Sequence, residues 1–291
     1  DPRMMKKKKT PLLVVDGLHV SYSAHSRRGE VAAVRGVSFT VDHEKVGIVG
    51  ESGSGKSSLA RAVLGLLPPS AKVWAKRLSF DRCDLLRRNE RSMRTLRGKR
   101  LGFIPQDARI ALNPVMTVGA QIAEACSGMS RRAARARVLE MLEAVRMDDP
   151  ERVWGAYPHQ LSGGMCQRAM IAMTLLPGPD LLIADEPSSA LDVHVRGKIL
   201  KLMEEMTRER GMGLLFISHD IDLVGAFCDR ILVMYGGRIL ESLAAKDLAQ
   251  ARHPYTRGLM TCAPRLREGW KGPLPVLERD PAWFGEGEAS P

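Results

Sequence analysis

The sequence predicts an α/β core, and three observations carry that reading. Short apolar and β-branched runs alternate with helical segments along most of the 291 residues. A glycine-rich turn beginning at Gly50 stands between an apolar run and a helical one. Further on, the apolar residues 181–184 run straight into two acids, Asp185 and Glu186, as expected of a strand buried in a parallel sheet.

Taken in order, residues 12–48 read as strands, with β-branched runs at 31–34, 37–41 and 46–49 broken by glycine and charge. Residues 58–67 have helical composition, and Pro68-Pro69 should end that helix. A strand is expected at 100–104. Residues 114–174 are rich in alanine, methionine and arginine and read as helical, most clearly over 131–145 and 165–175. After the 181–184 strand come a helix (195–209), a strand (213–217), a helix (221–227) and two strands (230–234 and 238–240). Beyond about Ala245 the composition changes: His253-Pro254-Tyr255 and the proline-rich 272–291 read as an appendage with an irregular end. There is no internal repeat.

Composition bounds the function. A chain of this length makes one large domain or two small ones and buries a substantial core without staples. Its 44% hydrophobic and 26% charged residues are ordinary for a soluble globular protein. Apolar runs such as 62–67 and 214–217 are far too short to cross a bilayer. Lys6 to Lys9 followed by a short apolar run imitates a secretory leader, but the run ends at Asp16 without a small-residue cleavage site, so a cytoplasmic protein is expected. Asp1–Arg3, ahead of Met4, are set aside. Five scattered cysteines give neither metal-ligand spacing nor a disulfide framework, and reduced thiols follow. The net charge of +11, with arginines concentrated in 82–100 and 131–146, suits an anionic partner: nucleic acid, an acidic membrane surface or phosphates. Solvated helix faces would account for the same clusters.

The chemistry-bearing motif is Gly50-Glu51-Ser52-Gly53-Ser54-Gly55-Lys56-Ser57, which matches G-x-x-x-x-G-K-[ST] at every fixed position and lies between strand and helix. Glycines let backbone N–H groups converge on phosphate oxygens, and the helix beginning near Ser58 aims its positive end at the same anion. Lys56 can reach the terminal phosphates, and the Ser57 hydroxyl suits Mg²⁺. Asp185 and Glu186 stand where ligands bind in such sheets, at a strand's carboxyl end. Asp185 suits the Mg²⁺ shell, and Glu186 suits orienting or deprotonating an attacking water. An acid pair opening a helix before Pro187 is the bland alternative.

Leu161-Ser162-Gly163-Gly164-Met165-Cys166-Gln167-Arg168 resembles the signature motif of ATP-binding cassette (ABC) ATPases, in the variant with methionine after the two glycines. The resemblance spans about residues 12–245 and carries the other family elements in order. Tyr22 looks like the aromatic that stacks on adenine. Gln106, in Phe103-Ile104-Pro105-Gln106, looks like the family's Q-loop glutamine. Ser189-Ala190-Leu191-Asp192 resembles the loop joining the two nucleotide sites, and His219 resembles the switch histidine. The family implies a phosphate-loop NTPase cassette: a RecA-like core, an antiparallel β subdomain, an inserted helical subdomain at about 108–175, and here a carboxyl extension over 246–291. It implies ATP and Mg²⁺ as cofactors. Glu186, His219, Gln106 and Lys56 would be catalytic, and Ser57, Gln106 and Asp185 would face the metal. Nucleotide contacts would come from Tyr22, Gly50 through Ser58, and Gln106, with Ser162, Gly163, Gly164 and Asp192 serving the nucleotide of an opposite subunit.

Several stretches are similar to the peptide/nickel uptake branch: Asp84-Leu85-Leu86, Ala111-Leu112-Asn113-Pro114, Tyr157-Pro158-His159-Gln160 ahead of the signature, and His253-Pro254-Tyr255-Thr256-Arg257-Gly258-Leu259. Members of this branch pair with a second ATPase or with themselves, and dock on two membrane permeases at the cytoplasmic face of the inner membrane. An external binding protein delivers their cargo, and nucleic acid is not a partner. Ser188-Ser189 replaces the usual threonine pair. Residues 72–80 lack the expected glycine, which puts a hairpin there in question. With only Cys262 in the extension, a four-thiolate iron–sulfur cluster has no ligand set there. A soluble ABC ATPase of translation or DNA repair is the competing class, but one phosphate loop and no long heptad run argue against it. An exporter is the third reading. Because every nucleotide motif precedes Asp220, residues from about 246 onward should be dispensable for nucleotide binding and serve assembly or regulation. Cys166, near a helix start, is either a dipole-activated thiol or a small buried residue.

Overall fold

The computed structural model describes residues 11–23, 30–262, Asp280 and Trp283. The Lys6–Lys9 run and most of the proline-rich tail lie outside the described residues.

Two sheets organise the chain. The first is antiparallel and contains β1 (Leu13–Ser23), β2 (Glu30–Val41), β4 (Ala71–Trp74), β5 (Arg77–Phe80) and β6 (Cys83–Asp84). The runs at 31–34 and 37–41 join into the single strand β2, which passes through Gly36 in the left-handed region (φ 70°) and shifts register against β1. The stretch 72–80 forms no hairpin of its own. β4 and β5 both pair with β1 as two halves of one interrupted strand, Tyr22 opposite Ala71 and Leu13 opposite Phe80. The hairpin lies further on, between β5 and β6, where Phe80 faces Cys83. Asp81 and Arg82 supply the two left-handed turn residues (φ 43° and 65°) that such a tight turn requires.

The second sheet holds β3 (Lys45–Val49), β7 (Leu101–Ile104), β8 (Leu181–Asp185), β9 (Gly213–Ser218), β10 (Arg230–Tyr235) and β11 (Arg238–Ala244), in the order β11-β10-β3-β9-β8-β7. All neighbouring pairs are parallel except the β10–β11 edge. Its strands read as unbroken apolar runs because both faces are covered. Leu181, Ile183, Leu215 and Ile217 join a core with the first sheet and with Leu59 and Val63 of α1 (Lys56–Leu64). Leu182, Ala184, Leu214 and Phe216 point the other way, into a second core that includes Met203 of α8 (Val193–Arg210) and Val224 of α9 (Ile221–Phe227).

Between β6 and β7 lies α2 (Glu90–Arg94), and between β7 and β8 the chain inserts α3 (Ala108–Ala111), α4 (Val118–Ala123), α5 (Arg131–Ala144), α6 (Pro150–Gly155) and α7 (Gly163–Leu175). Each helix from α2 to α9 starts at a residue whose side chain accepts a hydrogen bond from a first-turn amide, among them Asp107, Ser130, Ser162, Asp192 and Asp220. α1 ends earlier than Pro68-Pro69 suggests. Gly65 adopts φ 61° and caps it after Leu64, the usual glycine stop. The arginine clusters are partly structural: Arg97 pairs with Glu90, Arg100 bridges Asp81 and Asp180, and Arg135 pairs with Glu151. A last helix, α10 (Pro254–Cys262), packs back on the core, with Tyr255 fully buried. Among the described residues no helix is long and apolar enough to cross a membrane.

Candidate active site

The carboxyl ends of β3, β9, β8 and β7 lie side by side in that order, so the loops leaving them meet along one edge of the sheet, where ligands of open α/β sheets bind. β3 delivers the glycine loop, β9 delivers His219, β8 delivers Asp185 and Glu186, and β7 delivers Gln106. A cleft of about 240 Å³ is lined by Ser52, Gly53, Gly55, Lys56, Ser57, Ser58, Gln106, Asp185 and Glu186, together with Ala33 of β2. α1 starts from Gly55 in a left-handed conformation (φ 98°) and has no side-chain cap. Its first amides therefore have no side-chain acceptor, unlike those of α2 to α9, and an anion can take them.

Within the loop, Lys56 Nζ donates to Gly50 O and Glu51 O, both at 2.7 Å, and to Ser54 Oγ at 3.2 Å. Burial pushes the Lys56 amine below its usual pKa, and the charges of Glu186, Asp185 and Glu51 oppose that shift. Burial likewise pushes the Asp185 carboxyl up, against a hydrogen bond from the Ser57 hydroxyl and the charges of Lys56 and Arg61. Asp185 is thus buried beside the Ser57 hydroxyl and within the field of Lys56. The donor set of Ser57, Asp185 and the nearby Gln106, all oxygen-bearing, fits a hard divalent cation.

Glu186 is buried and occupies the left-handed region (φ 51°). Such strain persists only where neighbours over-determine it. Here the Glu186 amide donates to Ile217 O at 2.9 Å, and Ser189 donates to Glu186 O through its amide and its hydroxyl. The carboxylate is held as firmly. Oε1 accepts from the His219 amide and meets His219 Nδ1, both at 2.8 Å. Tyr22 is tied to the start of α1 by a 3.0 Å bond between its hydroxyl and Ser58 Oγ.

Ser162, Gly163, Gly164 and Asp192 do not join this cleft. Ser162 caps α7 through Met165 N, and Asp192 caps α8 through Val195 N. Gly163 lines an adjoining cavity of about 670 Å³ with Arg109, Gln167, Ser189 and Gln106, so Gln106 faces both spaces. Cys166 resolves to the buried alternative. It is fully enclosed, its thiol lies 3.5 Å from Pro158 O, and burial raises its pKa.

Two residues at the site were not anticipated. Ala33 presents its carbonyl to Gly55, where an added Cβ would lie 2.1 Å from that oxygen. Tyr255, from the segment expected to be dispensable for nucleotide binding, accepts a 3.0 Å hydrogen bond from the Glu51 amide. That contact ties the segment from 246 onward to the phosphate loop. The signal was present in the sequence, because a tyrosine beside a helix-starting proline that becomes buried must find a partner for its hydroxyl.

The model of the ABC transporter family matches residues 34–189. The dipeptide transport ATP-binding protein DppD of Bacillus subtilis is 47% identical over 261 residues, covering 88% of this chain and 77% of that protein. The oligopeptide transport ATP-binding protein OppD of the same organism is 41% identical over 278 residues, 94% and 77% of the two chains. Among solved structures, the dimeric bacterial ABC transporter cassette MJ0796 superposes with a TM-score of 0.70 at 26% identity, over 80% of this chain and 99% of that one.

Proposed function

Because the chain belongs to the ABC transporter family and is an ATP-binding, ATP-hydrolysing cassette, we propose that it is the motor subunit of an importer whose cargo is peptides. The observation that carries the catalytic reading is the meeting of Lys56, Asp185, Gln106 and Glu186 in one cleft, with Glu186 fixed on His219. The names and coverage of the peptide-transport relatives support the cargo class over nickel or other metal chelates. They likewise favour transport over translation or DNA repair.

In this reading the amides of Gly53 to Ser58 and Lys56 hold the triphosphate, and the Tyr22 ring faces the adenine. Ser57, Asp185 and Gln106 would hold Mg²⁺, which when bound neutralises phosphate charge. Glu186 receives the proton of a water attacking the γ-phosphorus as the bond to the β-phosphate oxygen breaks, giving ADP and phosphate. His219 holds Oε1, so Oε2 is the oxygen presented to water. Ser162, Gly163, Gly164 and Asp192 serve a nucleotide held by a second cassette, either another copy of this chain or a homologous ATPase. Two permeases would bind the dimer peripherally at the inner face of the membrane, with cargo arriving from an external binding protein.

Glu186→Gln keeps the acceptor for His219 and removes the base. In the assembled transporter, turnover should fall by about 10²–10⁴-fold while ATP stays bound. Unchanged turnover, or loss of ATP binding by the folded variant, overturns the assignment.

A further inference from the structure

The extension beyond β11 reaches the phosphate loop through the Tyr255 hydroxyl, and the peptide unit it touches supplies an acceptor for Lys56. The Gly50–Glu51 peptide is planar and trans, so its N–H and C=O point to opposite sides. On one side the Glu51 N–H donates to the Tyr255 hydroxyl at 3.0 Å. On the other side Gly50 O accepts from Lys56 Nζ at 2.7 Å. Glu51 O adds a second acceptor for Lys56 at 2.7 Å and also accepts the Ser54 amide at 3.2 Å. Tyr255 thus fixes the orientation of the first peptide of the loop, and that orientation places Gly50 O, one of the three acceptors around the Lys56 ammonium.

Tyr255 itself is firmly seated. Its ring lies 4.6 Å from that of Tyr235, at the end of β10, and 5.6 Å from that of Trp283, which also meets Tyr235 and His253. The start of α10 is pinned in turn: Glu241 of β11 accepts the amides of Arg252 and His253, and His253 Nδ1 accepts the Tyr255 amide. β10 flanks the loop as well, because Gly50 is packed so closely that a Cβ there would lie 2.0 Å from Met234 O.

We propose that Tyr255 is a positioning residue of the phosphate loop, through which the carboxyl extension sets the affinity of the cassette for ATP. The proposal rests on the ATPase reading above. Tyr255 touches no phosphate and acts through the Gly50–Glu51 peptide and Lys56. Its effect therefore falls on nucleotide binding and leaves the chemical step at Glu186 alone.

The test is Tyr255→Phe in the full-length chain, assayed beside the wild type for ATP binding and, in the assembled transporter, for steady-state hydrolysis. The ring and its aromatic contacts remain, and the acceptor for the Glu51 amide is lost. Loss of one such bond should raise the Kd and KM for ATP by about two- to tenfold, with kcat within about twofold of wild type. A Kd and KM equal to wild type, or a fall in kcat at unchanged KM, overturns the proposal. An assembled wild-type transporter that does not hydrolyse ATP would instead remove the ATPase reading. Should Tyr255→Phe fail to fold, amide exchange in the wild-type protein decides: the Glu51 amide should exchange more slowly than that of exposed Ser52, and equal rates sink the proposal.

Discussion

Gly55→Ala should abolish tight ATP binding, for a reason that separates it from Gly53→Ala. Both residues have left-handed backbones, φ 98° and 82°. A Cβ on Gly53 meets nothing within 4 Å, whereas a Cβ on Gly55 would lie 2.1 Å from the carbonyl oxygen of Ala33. To reach ordinary contact at 3.4 Å the Gly55 Cβ must retreat by about 1.3 Å. Its obstacle is the backbone of a paired strand, which cannot swing aside like a side chain. A displacement of that size takes loop amides out of hydrogen-bond range of a phosphate. Losing two charge-assisted bonds of about 1.5–3 kcal/mol each implies an affinity loss of at least about 10²-fold. Gly53→Ala carries only the backbone strain, about 1–2 kcal/mol, or at most roughly 5- to 30-fold. The assay is displacement of a fluorescent nucleotide from the purified full-length variants, with thermal melts to confirm folding. The steric argument fails if folded Gly55→Ala binds ATP within threefold of wild type, or if the two variants are indistinguishable.

Asp185→Asn should raise the melting temperature of the nucleotide-free protein near neutral pH while removing hydrolysis. Burial raises the Asp185 pKa in the folded state, so folding favours the protonated form. Its stabilising contribution is complete below the unfolded pKa and is lost as pH rises through the folded one. The melting gap between variant and wild type should therefore widen with rising pH across that window, and a variant less stable at neutral pH would contradict the sign. Thiol alkylation of the native protein should label half-buried Cys83 and Cys262 first. Cys166 and Cys228 should resist, the latter because burial pushes its pKa up to about 12; rapid labelling of Cys166 would restore the activated-thiol reading.

The sheet core was legible because burial on both faces leaves an unmistakable trace. Leu181 to Ala184 and Leu214 to Ile217 are apolar at every position, and the structure shows why: successive residues feed opposite cores. Helix ends and the β4–β5 region were less legible. The stop of α1 depends on the positive φ of Gly65, three residues before the prolines that look like the stop. The break between β4 and β5 lies beside left-handed Gly17 of β1, whose flank carries the Lys76–Asp16 backbone bond. A break of that kind is set by the partner strand and leaves no mark in residues 72–80 themselves. The helices between residues 108 and 123 are too short for a 3.6-residue period to register.

At the site, motif spacing located the groups but not their connections. Asp185 and Glu186 adjoin in sequence, yet the backbone gives them different tasks. Asp185 ends β8 in regular conformation beside Ser57, while Glu186 turns into the left-handed region and is handed to His219, just past the end of the neighbouring strand β9. That division follows from β8 lying between β7 and β9, a topological fact that no local window contains. Tyr255 is the extreme case, since its bond to Glu51 joins residues 204 positions apart. An extension that packs its aromatic ring beneath the phosphate loop is coupled to any displacement of α10, because Glu241 and His253 hold that helix start against β11. A displacement of α10 would therefore bear on the Gly50–Glu51 peptide and, through Gly50 O, on Lys56.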